Sequence, residues 1–309
     1  MPKMNNPQLS IVIPAYCEAT NIEPFIHSIA TVMAKTAYTY ELIFIDDGST
    51  DQTWTQIKKT LHEGAPIRAL RFGRNFGKEA AIAAGLDYAE GQAVIVMDAD
   101  LQHPPSLVPK MMQLWQEGNQ IVEAIKEERQ AESALKRLFS KLYYTLFSQL
   151  SGVNIQHTSD FKLLDKSVIE QWKRFGERQL FFRGCIAWLG LQTIKIQYTP
   201  AERHSGTSKW SFFQLVGLAF STITSYSSKP LICIWIFAAI FFSVGIVLSA
   251  QIMYLLAMGK SVPGFFTVYA LQLISGAMIL FSLGLIATYI QQIYAEVKGR
   301  PRYVVTEML

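Results

Sequence analysis

Two stretches without a charged residue constrain this chain more than any other feature. Pro230 to Gly259 runs 30 residues without Asp, Glu, Lys or Arg, and Ser261 to Ala295 runs 35 more, with only Lys260 between them. A helix crossing a bilayer needs roughly 20 apolar residues, so each stretch suffices, and a helix buried in a soluble core seldom runs so far uncharged. Spanning helices are expected at about Leu231–Leu256 and Phe265–Ile290. The connection, Met258-Gly259-Lys260-Ser261-Val262-Pro263-Gly264, carries the glycines and proline of a turn. The two helices therefore read as a hairpin. Lys209 and Lys229 precede it and Lys298, Arg300 and Arg302 follow it, against Lys260 alone in the loop. The positive-inside bias puts the rest of the chain and both termini on the cytoplasmic side of the inner membrane.

The remainder has another pattern. Residues 1–208 alternate short β-rich apolar runs with helix-like segments: strands at Leu9–Ile13, Glu41–Ile45, Ile67–Phe72 and Ala93–Met97, helices at Ile22–Ala34, Thr53–His62, Lys78–Ala89 and Ser106–Glu117. Such alternation predicts an α/β domain with a mainly parallel sheet, whose ligands bind beyond the carboxyl ends of the strands. Two further segments are amphipathic. Ser133–Ser151 mixes a leucine-rich face with Lys136, Arg137 and Lys141, which suits either a membrane surface or the domain core. Ser211–Ser228 is rich in Phe and lies just before the first span, where an interfacial helix over 209–229 is expected. The remaining 296–309 reads as a cytoplasmic tail. A net charge of +4 is too small to argue for nucleic acid and fits an anionic membrane surface better. Cys17, Cys185 and Cys233 lie too far apart for a metal motif or a disulfide framework. Leu9–Ile13 is too short for a signal peptide and meets Pro14.

The polar motifs fall at the strand ends. The second strand closes with Asp46-Asp47-Gly48-Ser49-Thr50-Asp51. Helix capping accounts for Ser49 to Asp51 but leaves two consecutive acids, which can accept hydrogen bonds from a base or ribose. The fourth strand closes with Asp98-Ala99-Asp100-Leu101-Gln102, where carboxylates one residue apart can converge on a hard cation, Mg²⁺ or Mn²⁺, sharing diphosphate oxygens. Between them, Arg71-Phe72-Gly73-Arg74-Asn75-Phe76-Gly77-Lys78 opens an Ala-rich helix, and a helix N-terminus flanked by cations suits a phosphate. Neither a Gly-x-Gly-x-x-Gly fingerprint nor a P-loop occurs, so dinucleotide and ATP readings lose support.

These motifs, with Val12 to Glu18, Ser159-Asp160-Phe161, Phe182-Arg183-Gly184, Arg203 to Trp210 and Arg300 to Tyr303, resemble the family 2 glycosyltransferases. Within that family the chain is similar to the polyprenyl-phosphate glycosyltransferases, a group including bactoprenol glucosyltransferases and dolichol-phosphate mannose synthases. The resemblance implies a GT-A fold, a Rossmann-like, mixed but mainly parallel sheet, followed by the two-helix transmembrane hairpin. It implies inverting transfer from a nucleotide-sugar to a lipid phosphate, with UDP-glucose and undecaprenyl phosphate as first choices. GDP-mannose, other UDP-sugars or a sugar-hydroxyl acceptor remain alternatives, and a non-catalytic scaffold is the reading most at odds with the intact Asp98 and Asp100. It implies nucleotide-sugar contacts at Pro14, Tyr16, Glu18, Asp47, Gly77, Lys78, Asp98 and Ala99. Metal binding falls to Asp100 with Asp98 and Gln102 assisting, and the resemblance also suggests a homo-oligomer, a tetramer being one form. The sequence departs from relatives at His103, where an acid is common, and at Ser159, where glycine is common.

A phosphate monoester has a second pKa of about 6, so the acceptor is already largely dianionic at neutral pH. It needs cations to approach a diphosphate more than it needs a base. Lys126, Arg129, Arg137, Arg203 and Lys209 are candidates, and Ser140 shares the helical face of Arg137. Asp100 and Asp160 are the expected catalytic carboxylates; for Asp160 the roles open are orienting the sugar, positioning an arginine or acting as a base, with positioning of substrate favoured because a dianionic acceptor makes a base optional.

Overall fold

The computed structural model describes residues 7–127, 145–156, 158–178, 180–199, 223–259 and 264–309, with backbone only at 265–267. These divide into two compact units, one drawn from 1–148, 153–210 and 301–309, the other from 149–152 and 211–300.

The first unit is built on a mixed sheet. Strands β1 (Leu9–Ala15), β2 (Tyr40–Asp46), β3 (Ile67–Phe72) and β4 (Ala93–Val96) lie where the apolar runs predict them. β1 pairs in parallel with both β2 and β4, and β2 in parallel with β3. Leu9, Ile11, Val12 and Ile13 are fully buried, because both faces of β1 are covered. A parallel strand of this kind reads as a continuous apolar run rather than an alternating one. On one face Leu9, Ile11 and Ile13 join Phe25 and Ile29 of helix α1 (Ala19–Met33) in the main core. On the other, helix α3 (Lys78–Tyr88) packs so closely that a Cβ at Gly85 would sit 2.1 Å from Val12 Cγ1. The Ala and Gly residues of α3 thus serve close packing, which brings its first turn to the carboxyl ends of the strands. Helices α2 (Thr53–His62) and α4 (Val108–Gln116) complete the expected alternation.

Four further strands were not anticipated: β5 (Ile121–Lys126), β6 (Lys162–Asp165), β7 (Thr193–Tyr198) and β8 (Val305–Met308). The order is β7-β5-β6-β4-β1-β2-β3-β8, with β6 antiparallel to both β4 and β5 and β8 antiparallel to β3. Two short helices belong here, α5 (Lys166–Trp172) and α6 (Phe182–Trp188). β8 arises from the segment expected to be a plain tail. Tyr303 stacks on Phe72 with centroids 5.0 Å apart, and Glu307 accepts bonds from Trp54, Lys58 and Arg71, so 301–309 is folded against the sheet.

The second unit holds α7 (Ile232–Ala257) and α8 (Phe265–Val297), each long and apolar enough to cross a membrane. Trp235, Phe242, Met253, Leu273 and Leu280 are each at least 70% exposed, whereas a soluble core would bury such residues. α8 runs seven residues past the expected Ile290. Its extension carries Gln292, which bonds Thr224 Oγ1 at 2.9 Å, one turn after Tyr289, which donates to the Ser227 carbonyl at 2.6 Å. Of the two amphipathic segments, residues 145–151 and 223–226 are helical, and the rest of each, except 227–228, lies outside the described residues.

Candidate active site

In the parallel part of the sheet, the strand order runs outward from β1 through β2 and β3, then returns to place β4 on β1's other side. That switch point leaves a crevice between the ends of β1 and β4. A cleft of about 290 Å³ opens there, lined by Pro14, Tyr16, Glu18, Asp47, Gly77, Lys78, Asp98, Ala99 and Asp100, together with Ala15, Asn75 and Ala81. All eight residues expected to hold the nucleotide-sugar are therefore brought together. Among the described residues, the only non-glycine positions with left-handed backbone are Cys17 (φ 56°) and Leu101 (φ 62°). Each sits inside a cleft motif, between Tyr16 and Glu18 and between Asp100 and Gln102. Such conformations cost about 1–3 kcal/mol and concentrate where geometry serves function.

Asp47 ties the end of β2 to the loop before α3. Its two oxygens accept the backbone N–H groups of Phe76 (2.6 Å) and Gly77 (2.9 Å), which fixes the loop leading into α3. Burial pushes the Asp47 carboxyl upward, and those two bonds and the neighbouring Asp46 modify the shift without reversing it. Gly48 must be glycine here, since its φ is +67° and a Cβ would lie 2.4 Å from the Arg74 backbone. Glu18 is likewise pushed upward, chiefly by burial and then by the nearby carboxylates of Asp100, Asp98 and Asp51, against an opposing bond from Asn21.

Lys78 joins the rest. Its ammonium lies 2.6 Å from Asp98 Oδ1 and 2.9 Å from Asp160 Oδ2. Burial alone would lower its pKa, but the two carboxylates reverse this and hold it above the ordinary lysine value. Asp160 is buried and does not line the cleft; it reaches the cleft through Lys78. Arg183 grips it with a fork, Nε to Oδ1 at 2.7 Å and a terminal nitrogen to Oδ2 at 2.9 Å. Burial would raise the Asp160 pKa, yet Arg183 and Lys78 hold it well below the usual carboxylate range. A carboxylate so held is a poor proton acceptor, which agrees with a positioning role.

The two departures from the family pattern have local explanations. Buried His103 accepts the Asp98 N–H on Nδ1 at 3.0 Å and stacks on Phe161 with centroids 4.8 Å apart. Burial lowers its pKa and keeps it neutral, so it braces the Asp98 turn without adding charge. Ser159 donates its N–H to Glu123 at 2.7 Å, and its hydroxyl accepts from Phe161 N at 3.1 Å. Glu123 also pairs with buried Lys162 at 2.9 Å, which anchors the loop carrying Asp160.

Asp98 and Asp100 offer the hard oxygens that Mg²⁺ or Mn²⁺ prefers. Among the described residues no group of three or more His, Cys, Asp or Glu forms a cage. A cation here would complete its shell from diphosphate and water, as Mg²⁺ commonly does. Gln102 is turned elsewhere: its Oε1 accepts from Lys126 Nζ at 3.1 Å. An expected metal ligand and an expected acceptor cation thus meet each other. Arg129, Arg137, Ser140, Arg203 and Lys209 lie outside the described residues. The residues that sequence reasoning left without a role are Glu79 and Arg183; the Phe182-Arg183-Gly184 match was the one signal for the latter.

Comparison with known proteins identifies the family. The model of glycosyl transferase family 2 matches residues 10–172. An uncharacterised glycosyltransferase of Synechocystis is 36% identical, with 97% of this chain and 95% of the relative aligned. A prophage-derived bactoprenol glucosyl transferase of Shigella flexneri is 36% identical, with 96% of this chain and 97% of the relative aligned. Glucosyl-3-phosphoglycerate synthase of Mycobacterium tuberculosis, a solved structure, is 20% identical over 72% of this chain and 80% of its own, with a TM-score of 0.47. The family match and the two full-length relatives are decisive: this chain belongs to glycosyl transferase family 2.

Proposed function

We propose that the chain transfers glucose from UDP-glucose to a polyprenyl phosphate, undecaprenyl phosphate first among them, with inversion at the anomeric carbon. The observation that carries the donor half is the cleft in which Asp47, Lys78, Asp98 and Asp100 converge. The acceptor half is supported by likeness to bactoprenol glucosyl transferases at 34–36% identity over 96% of this chain, the apolar hairpin included. The positive residues flanking the hairpin support a cytoplasmic catalytic unit on the inner membrane.

Tyr16 and Asp47 would hold the nucleoside, and Lys78 the diphosphate. Asp98 and Asp100 would hold Mg²⁺ or Mn²⁺, which when bound offsets charge on the departing diphosphate. A phosphate oxygen of the acceptor attacks the anomeric carbon as the bond to UDP breaks, and the bonding pair leaves with UDP. The dianionic acceptor brings no proton that must be removed, so Asp160 serves by fixing Lys78. Accordingly, Asp160→Asn should lower turnover about 10- to 100-fold while keeping the shape of the pH–rate profile. Partial recovery at alkaline pH would mean that Asp160 acts as a base.

The direct test incubates purified protein with undecaprenyl phosphate and radiolabelled UDP-glucose, UDP-N-acetylglucosamine or GDP-mannose. Acid-labile label in the organic phase, fastest from UDP-glucose, is expected. A faster rate from another donor overturns the sugar assignment, and label in polymer overturns the acceptor.

A further inference from the structure

The first two residues of α3 hold Asp160 from two directions. Lys78 does so directly at 2.9 Å. Glu79 does so at one remove: its Oε2 accepts the backbone N–H of Phe182 at 2.7 Å, and the next residue, Arg183, forks both oxygens of Asp160. The Phe182 side chain is fully buried and edge-on to Trp172, with centroids 5.6 Å apart. The peptide that presents Arg183 is thus fixed on its side-chain face by packing and at its N–H by Glu79. The result is a closed ring, Lys78–Glu79–Phe182–Arg183–Asp160, whose open vertex is the bond from Lys78 to Asp98 in the cleft.

We propose that Arg183 and Glu79 are positioning residues for sugar transfer: through Asp160 they set where the Lys78 ammonium stands against Asp98 and the departing diphosphate. This rests on the glycosyl-transfer reading above. Arg183 touches no substrate in this scheme. Its planar fork fixes the carboxylate plane of Asp160, and that plane fixes Lys78. A lysine at 183 keeps the charge but cannot make two parallel bonds. Misplacing a group by about 1 Å can cost about 100-fold in rate. Donor binding should suffer much less, because the Asp47 contacts with the loop before α3 do not depend on Arg183.

Glu79 gives an independent arm. Glutamine matches glutamate in size, and its amide oxygen can still accept the Phe182 N–H. Leucine is similar in size and offers none.

The test measures kcat, donor KM, UDP affinity by calorimetry and melting temperature for full-length Arg183→Lys, Glu79→Gln and Glu79→Leu. The donor is whichever sugar nucleotide the wild-type chain turns over. A wrong choice of sugar therefore shows in the wild type and not in the comparison. Arg183→Lys and Glu79→Leu are expected to lose at least 30-fold in kcat while KM and UDP affinity stay within threefold. Glu79→Gln should keep kcat within threefold. Wild-type kcat in Arg183→Lys, or a loss of kcat matched by an equal loss of UDP affinity, overturns the proposal. A kcat within threefold of wild type in Glu79→Leu, or a drop in Glu79→Gln as large as that of Arg183→Lys, overturns the Glu79 arm; if Glu79→Leu does not fold, Glu79→Ala, which also removes the acceptor, takes its place.

Discussion

Asp100→Ala is expected to reduce sugar transfer by about 10³-fold or more, the scale of losing an electrostatic stabiliser of a leaving group, while the chain folds and still inserts into membranes. The structure separates the two outcomes. Within its own turn the Asp100 carboxylate accepts one bond, from Gln102 N at 3.1 Å, so its removal should cost the fold only about 1 kcal/mol. Leu101 holds the turn in its left-handed bend and packs against the core, and His103 braces the Asp98 N–H, so the loop keeps its shape without Asp100. What is lost is one of the two cleft carboxylates to which the proposed function gives the metal and the diphosphate. The measurements are transfer rate across a Mg²⁺ titration, Mn²⁺ binding in the presence of UDP by electron paramagnetic resonance, and membrane fractionation. Normal turnover at any Mg²⁺ concentration, or undiminished Mn²⁺ binding, would reject the assignment.

What could be read from the sequence follows a physical divide between local and distant information. β1 to β4 were visible because parallel strands covered on both faces must be apolar throughout, as Leu9, Ile11, Val12 and Ile13 are. Most cleft residues were visible because they lie at or just beyond the carboxyl end of such a strand, with Gly77 and Lys78 at the opening of α3. β6 was hidden: it is four residues long and begins with Lys162, a residue that can be buried only because Glu123 lies 2.9 Å away. β8 was hidden because Val305 to Met308 is only four residues long with adjacent polar Thr306 and Glu307 that break any alternation, and the partners of Glu307, Trp54, Lys58 and Arg71, are more than 230 residues distant. The same holds within the site. Lys78 could be placed from the helix it opens, but its partner Asp160 is 82 residues away, and Glu79 meets Phe182 across 103. No local pattern encodes such a ring, nor the 3.1 Å bond by which Gln102 Oε1 accepts from Lys126 Nζ.

The second large effect belongs to Lys78→Gln, which should lower kcat/KM about 10²- to 10³-fold, the scale of losing one electrostatic stabiliser of departing charge. Glutamine keeps the length of most of the side chain and can still reach one carboxylate, but it cannot neutralise two. Asp160 would retain Arg183, so the part of the ring within the domain survives. Asp98 would lose its 2.6 Å contact with the ammonium and face Asp100 and an incoming diphosphate without it. The direction of the pKa shifts adds a check on pH. Lys78 is held above its ordinary 10.5, so its contribution is full below that value and fades only as pH rises through the higher folded value. Asp160 is held below its ordinary 3.8, so its contribution is full above that value and fades as pH falls through the lower folded one. The bridge is therefore intact across the whole range in which a transfer assay can be run. The ratio of wild-type to Lys78→Gln rates should stay constant from about pH 6 to pH 9. A ratio that shrinks towards one by pH 9 would show that Lys78 discharges in the working range, and that the two carboxylates do not hold it as the geometry requires.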